Sequence, residues 1–298
     1  MLGDVDAELD DHGLRAIRGN ARRAPTPHTK VVVVDRNVIG AEIIAWRLGD
    51  PDRRVIWVKR GGASAQQALR QAGFVAFADM VVVPGDVGAA RDAADELASK
   101  RGKLREIGVC QAYQVMPPYA GEHEAVVFLS LGAFEPAMRD VYHRIQRALD
   151  RVGLPYVWCG YSSEPLSCGF DADARVPIHA SLERKARCAA LVSEGGYNSV
   201  HEALHLGRPA LLIPNEGNNR EQQGKRVAAA KRASHLIFDA SLPGDLNAWI
   251  AEAQRRLTDK EMDKRRHGIS TGCNQGLKEM ADLVEAVLAH TRRCASAA

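Results

Sequence analysis

No apolar run in this chain of 298 residues approaches the ~20 residues that a membrane-spanning helix needs. The opening stretch, MLGDVDAELDDHGLRAIRGN, is charged and lacks the apolar core of a secretory signal. Neither sign of charge dominates. Lys plus Arg number 40 against 37 Asp plus Glu, a net +3, and that balance argues against a nucleic-acid partner. The six cysteines (110, 159, 168, 188, 273, 294) show no C-x-x-C spacing. Scattered thiols of this kind fit a reducing cytosol, so a cytoplasmic location is expected. There is no internal repeat and no low-complexity tract. What remains is an ordinary globular composition, 46% hydrophobic, long enough for two domains of moderate size.

Apolar strand patterns alternate with helical ones along most of the chain. Lys30 to Val34 (KVVVV), Arg54 to Val58 and Met80 to Val83 read as buried strands. Helices are expected over 39–48, 64–72 and 87–99 between and after them. Residues 101–124 lack a long apolar period and read as a connection, with the boundary near 120. A second cycle follows, with strands at 125–129, 156–159, 175–178, 189–192, 210–213 and 235–238. Helices are expected at 135–152, 181–187, 198–206, from about 220, and at 243–257 and 260–290. Strands alternating with helices predict an α/β fold of parallel sheets.

The densest signal lies between Leu191 and Arg226. A strand runs into Gly195-Gly196, a short helix stops at Gly207 before Pro209, a second strand ends at Pro214, and another helix opens near Arg220. Paired glycines let a backbone approach a ligand closely. The helix behind them presents free N–H groups and a positive dipole end, which suits a phosphate. A tight turn without a ligand fits the same residues. Glu202 is likewise open to two roles. Ser199-x-x-Glu202 has the form of a capping box, and a carboxylate here also suits the vicinal hydroxyls of a ribose.

This run resembles the carboxyl-terminal domain of the two-domain, nucleotide-sugar-dependent glycosyltransferases of the GT-B architecture. In particular it is similar to the group that includes the lipid-II-forming N-acetylglucosaminyltransferase. The resemblance rests on Gly195-Gly196, Asn198-Ser199, Glu202, Gly207-Arg208-Pro209, Leu211 to Pro214 and Glu221-Gln222-Gln223, in order and at matching spacing. It implies two Rossmann-like lobes: residues 1–120 as an acceptor-side domain with linker, and 121–298 as the nucleotide-sugar-binding domain. The last helix would return to the first lobe, as in relatives.

The resemblance also implies roles. Ser130, Gly132 and Ala133 would face the diphosphate, though an ordinary βα turn would look the same. Ile178 would meet the base through its backbone, with His179 beside it. Gly195, Gly196, Asn198 and Ser199 would cradle phosphate, and Glu202 would hold the ribose. Gln222 and Gln223 would bind sugar hydroxyls, or simply form a solvated helix face. No cofactor or metal is expected, the nucleoside-diphosphate sugar being the donor substrate. Asp171-Ala172-Asp173 reads as a solvated turn rather than a Mg²⁺ site. Glu194 stands out, because relatives hold a neutral or basic residue before the glycines and a carboxylate would repel a diphosphate unless paired.

The expected activity is transfer of a hexosyl or N-acetylhexosaminyl group from a UDP-linked donor to an unknown acceptor. The first lobe reads as incomplete, because the opening strand and Gly-rich loop of relatives have no counterpart. A shortened paralogue, a split enzyme with a partner subunit, and a mis-called start would each produce that. No general base stands out among His12, His28, Asp35 and His123. Two other readings stay open: a nucleotide-sugar hydrolase, and a non-catalytic nucleotide-sugar-binding subunit that needs a partner chain; a homodimer is open as well.

Overall fold

The structure, a computed structural model, describes residues 25, 28–35, 39–59, 65–110, 124–131, 138–160, 169–177, 181–215, 220–258 and 275–296. The chain forms two compact units. The first comprises Met1–Gly85, Ala90–Cys110 and Gln275–Ala298, and the second Asp86–Ala89 and Gln111–Asn274.

The first unit is built on a four-stranded parallel sheet in the order β1 (Val31–Asp35), β2 (Arg54–Val58), β3 (Met80–Pro84), β4 (Leu104–Ile107). Runs such as VVVVD and RVIWV are apolar at consecutive positions because both faces of a parallel sheet are covered. Val32, Val34, Val55, Trp57 and Val81 pack under α1 (Ala41–Leu48), α2 (Ala65–Phe74) and α3 (Ala93–Lys100). Val31, Ile56, Val82 and Ile107 pack on the other face against Val284 of α9 (Gln275–Ser296). Glu279 of α9 accepts the Gly108 N–H at 2.8 Å.

Two expectations change here. The helix foreseen at 87–99 begins only at Ala93. Asp92 caps it, accepting from the N–H groups of Ala94 and Asp95 while Asp95 returns a bond to the Asp92 N–H. The segment read as a plain connection contains β4, hydrogen-bonded beside β3. Its sequence, LREI, is charged in the middle because β4, at the sheet edge among the described residues, exposes Arg105 and Glu106.

The second unit holds a five-stranded parallel sheet in the order β6 (Tyr156–Cys159), β5 (Glu124–Ser130), β7 (Cys188–Glu194), β8 (Ala210–Ile213), β9 (Ile237–Asp239). One face packs on α4 (Arg139–Val152) and α8 (Asp245–Thr258), through Val127, Leu129, Val192 and Leu211 against Tyr142, Ile145 and Trp249. The other packs on α6 (Tyr197–Leu206) and α7 (Arg220–Ala233), through Phe128, Leu191 and Leu212 against Val200 and Val227. The short α5 (Ser181–Arg187) leads directly into β7. The strand expected at 175–178 reduces to a single bridge between Arg175 and Trp158.

The strand order decides where a ligand would sit. The chain steps from β5 outward to β6, then crosses back and continues from β7 in the opposite direction. The winding therefore reverses between β5 and β7. In open α/β sheets, ligands bind beyond the carboxyl ends of the strands at this reversal.

Candidate functional site

Two strand ends define the reversal. β5 ends at Ser130, which lies in register with Ser193 of β7 and Cys159 of β6. One residue beyond Ser193, β7 ends at Glu194 and turns through Gly195-Gly196 into α6. The Gly195 N–H still donates to the Ile213 carbonyl at 2.8 Å, so the first glycine extends the ladder. A Cβ on Gly195 would lie 2.7 Å from Val227 Cγ2, which explains the glycine by the close approach of α7. Gly196 is different. It caps α6 without a side chain, and a Cβ there would meet nothing within 4 Å. Among the described residues, the start of α6 therefore has open space beside Gly196, at the end of β7.

Glu202 is not a cap. α6 begins at Tyr197 with Gly196 as its N-cap, so Ser199 is already inside the helix and the capping box does not form. Glu202 instead lies buried, with its Oε2 2.6 Å from the Nζ of Lys185 on α5. The same ammonium lies 5.7 Å from the centre of the Phe128 ring. One carboxylate oxygen of Glu202 is thus committed to a buried cation.

Glu194 is held by neutral donors. Tyr142 donates its hydroxyl to Oε1 at 2.9 Å, and Asn215 Nδ2 lies 3.5 Å from Oε2. Gln223 Oε1 accepts the Asn215 N–H at 2.9 Å, which fixes the turn after β8 beside the same loop. Gln222 is half-buried in the first turn of α7, Asn198 is exposed, and Ser199 is half-buried. Gly132, Ala133 and Ile178 lie outside the described residues, as do His12, His123 and His179. The structure thus brings Ser130, Gly195, Gly196 and Gln223 to the carboxyl edge of one sheet, with Glu202 set back in the layer below.

Beside β6 lies a cavity of about 460 Å³ lined by Gly160, Ala172, Arg175, Val176 and Pro177. Arg175 donates to the Gly160 carbonyl at 3.2 Å and lies over the Trp158 ring, 5.1 Å from its centre. Asp171 and Asp173 form a turn in which the Asp171 carboxylate accepts the Asp173 N–H at 2.9 Å. Among the described residues no group of three or more His, Cys, Asp or Glu is placed to hold a metal ion.

Sequence reasoning missed Asp86, Lys185, His201 and Arg226. Asp86 is buried, and Arg226 grips it by two bonds of 2.8 and 2.6 Å while His201 Nε2 lies 3.1 Å away. Burial drives the Asp86 carboxyl upward, but the His201 and Arg226 hydrogen bonds and the arginine charge outweigh it and hold the carboxyl below its usual range. Nothing in the spacing announces a pair 140 residues apart. Lys185, between Arg184 and Arg187, reads as part of a solvated basic face.

Comparison with known proteins bears on the family likeness and the fold. Residues 178–284 match the family described as the glycosyltransferase family 28 C-terminal domain. A 121-residue stretch is 30% identical to the UDP-N-acetylglucosamine--N-acetylmuramyl-(pentapeptide) pyrophosphoryl-undecaprenol N-acetylglucosamine transferase of Anaeromyxobacter sp. (strain Fw109-5). That match takes in 39% of this chain and 31% of the relative, so the chain spans about a third of that protein's length. Among solved structures, the spinosyn forosaminyltransferase SpnP superposes with a TM-score of 0.50 at 13% identity, over 87% of this chain and 76% of that one. The kitacinnamycin glycosyltransferase gives 0.49 at 14% identity, over 88% and 76%. The SpnP likeness and the two parallel sheets give the chain the α/β, GT-B type of fold.

Proposed function

For a chain that carries a glycosyltransferase family 28 C-terminal domain on a GT-B scaffold, we propose transfer of a hexosyl or N-acetylhexosaminyl group from a nucleoside-diphosphate sugar to an acceptor nucleophile. The observation that carries this is the uncapped N-terminus of α6, opening through Gly196 at the strand reversal between β5 and β7. The donor's diphosphate sits there. As the glycosidic bond breaks, the leaving diphosphate gains negative charge, and backbone N–H groups and the helix end stabilise it without reorganising. No metal is needed for that step. The N-acetylglucosamine transferase relative is named for a UDP sugar, and the same base is proposed here. The cavity lined by Gly160 and Arg175 supports a site for the base there. Glu202 accepts from a ribose hydroxyl with the oxygen that Lys185 leaves available. Gln222 and the amide nitrogen of Gln223 meet the sugar. Glu194, already satisfied by Tyr142 and Asn215, borders the diphosphate. The reaction belongs in the cytoplasm, in keeping with the scattered thiols. No described helix is long and apolar enough to cross a membrane.

The test uses UDP-sugars labelled in the sugar, incubated with the purified chain in EDTA together with a cell extract as acceptor source. Release of UDP together with label in a new product supports the reading. Intact donors throughout would end it, and release of free sugar alone would make the protein a hydrolase.

A further inference from the structure

The buried cluster of Asp86, His201 and Arg226 does no work in the proposal above, yet it touches the glycine loop directly. All three belong to the second unit, and their side chains are 1%, 6% and 5% exposed. An ion pair so deeply buried seldom adds stability over apolar residues of the same size, so its presence calls for another reason. The geometry of Arg226 supplies one. Its Nε and Nη2 form a two-pronged bond to the Asp86 carboxylate, which leaves Nη1 to donate to the Gly195 carbonyl at 3.2 Å. The guanidinium is further confined by the Tyr197 ring, 5.9 Å away, and that ring packs on His201 at 4.7 Å between centres.

Peptide planarity carries this grip to the next residue. In a trans peptide the carbonyl of one residue and the N–H of the next point in opposite directions. Arg226 draws the Gly195 carbonyl toward the buried cluster, so the Gly196 N–H faces away from it. That N–H has no hydrogen-bond partner among the described residues, and the space beside Gly196 is open. The neighbouring atoms are fixed as well: the Gly195 N–H is bonded to Ile213 and the Gly196 carbonyl accepts from Val200 at 3.1 Å. Within the Gly195-Gly196 turn, the Gly196 N–H is the donor without a partner among the described residues, and it points away from the buried cluster.

We propose that Arg226, clamped by Asp86 and His201, is a positioning residue that aims the Gly196 N–H at a phosphate of the bound ligand. This deepens the reading of the site as one for a nucleoside diphosphate and rests on it. Arginine suits the task because its rigid fork makes several bonds in fixed directions, whereas a lysine ammonium is a single flexible point. A lysine in its place can keep a charge beside Asp86 but cannot hold the two-pronged bond and the Gly195 carbonyl together.

The experiment compares Arg226→Lys and Asp86→Asn with the parent chain by two readouts. The first is the affinity for UDP set against that for uridine, which lacks the phosphates. The clamp predicts that each variant loses about tenfold for UDP, the scale of one charged hydrogen bond, and keeps uridine binding within about twofold. Equal losses for both ligands would mean a merely structural role and overturn the proposal. The second readout needs no ligand. In protein labelled with ¹⁵N-glycine, the Gly196 amide resonance should move in Arg226→Lys. An unmoved Gly196 amide in a folded variant would overturn the clamp. If the parent binds no UDP, the donor reading fails by itself, and the Gly196 amide still decides whether Arg226 orients the loop.

Discussion

Replacing Glu202 with glutamine tests what that residue does for the fold. Were Glu202 a helix cap, the Glu202→Gln side chain would return much the same hydrogen bond and the loss would be about 1 kcal/mol at most. The structure makes it the partner of a lysine that is buried with it, 2.6 Å away and under a phenylalanine ring. A neutral amide there would leave the largely buried Lys185 ammonium without its counter-charge. Breaking a buried pair from one side costs about 3–5 kcal/mol, whereas replacing both partners with apolar residues is often neutral. The melting point of the unit should fall by roughly 6–20 °C, at about 2–4 °C per kcal/mol for a domain of this size. Lys185→Met should cost a similar amount, and Lys185→Met/Glu202→Met together should cost less than either alone. Urea denaturation of the parent, Lys185→Met, Glu202→Met and the double variant closes the cycle. Single losses below about 1 kcal/mol that simply add in the double variant would refute the buried-pair account, because additivity is what independent sites show.

Three further outcomes follow. Gly195→Ala places a Cβ 2.7 Å from Val227 Cγ2 and should destabilise by about 1–3 kcal/mol, while Gly196→Ala, with open space, should melt like the parent; denaturation of the pair decides it. Asp86 has its folded pKa held down, so its contribution is present above the unfolded carboxyl value of about 3.9 and lost as pH falls through the lower folded value. The stability gap between the parent and Asp86→Asn, read from urea midpoints, should therefore be constant near neutrality and close below about pH 4. Burial pushes the Cys188 thiol up to about 12, so iodoacetamide at a pH of about 8 should leave Cys188 unlabelled until the chain is unfolded, as peptide mapping would show.

Much of this fold is legible in the residues, for identifiable reasons. KVVVV, AVVFL and ALLI are dominated by apolar residues because parallel strands are covered on both faces, and such runs stand out against charged helices. LREI hides because an edge strand tolerates charge, and α3 starts late because Asp92 and Asp95 form a cap from two aspartates rather than the Ser-to-Glu pattern that sequence reading seeks. Glu202 shows the limit most clearly. Ser199-x-x-Glu202 has the spacing of a capping box, but Gly196 opens the helix before Ser199 is reached, so the motif falls inside the helix and cannot act as one. The glycine pair could be read as a loop, but not that one glycine serves packing against Val227 and the other faces open space. Asp86 and Arg226 meet only through the fold, so no local pattern marks them.

In the proposed mechanism, everything depends on the open N-terminus of α6 at Gly196 receiving a nucleoside diphosphate without a metal. Gly196 has an extended backbone (φ −65°, ψ 161°) that valine also adopts, so Gly196→Val fills the open space without straining the chain. Isothermal titration of UDP in EDTA into the parent and into this variant measures that step. Binding to the parent is expected, with loss of at least about tenfold, or ~1.4 kcal/mol, in Gly196→Val and no change in melting point. No binding to the parent, binding only when Mg²⁺ is added, or equal binding to both proteins would contradict it.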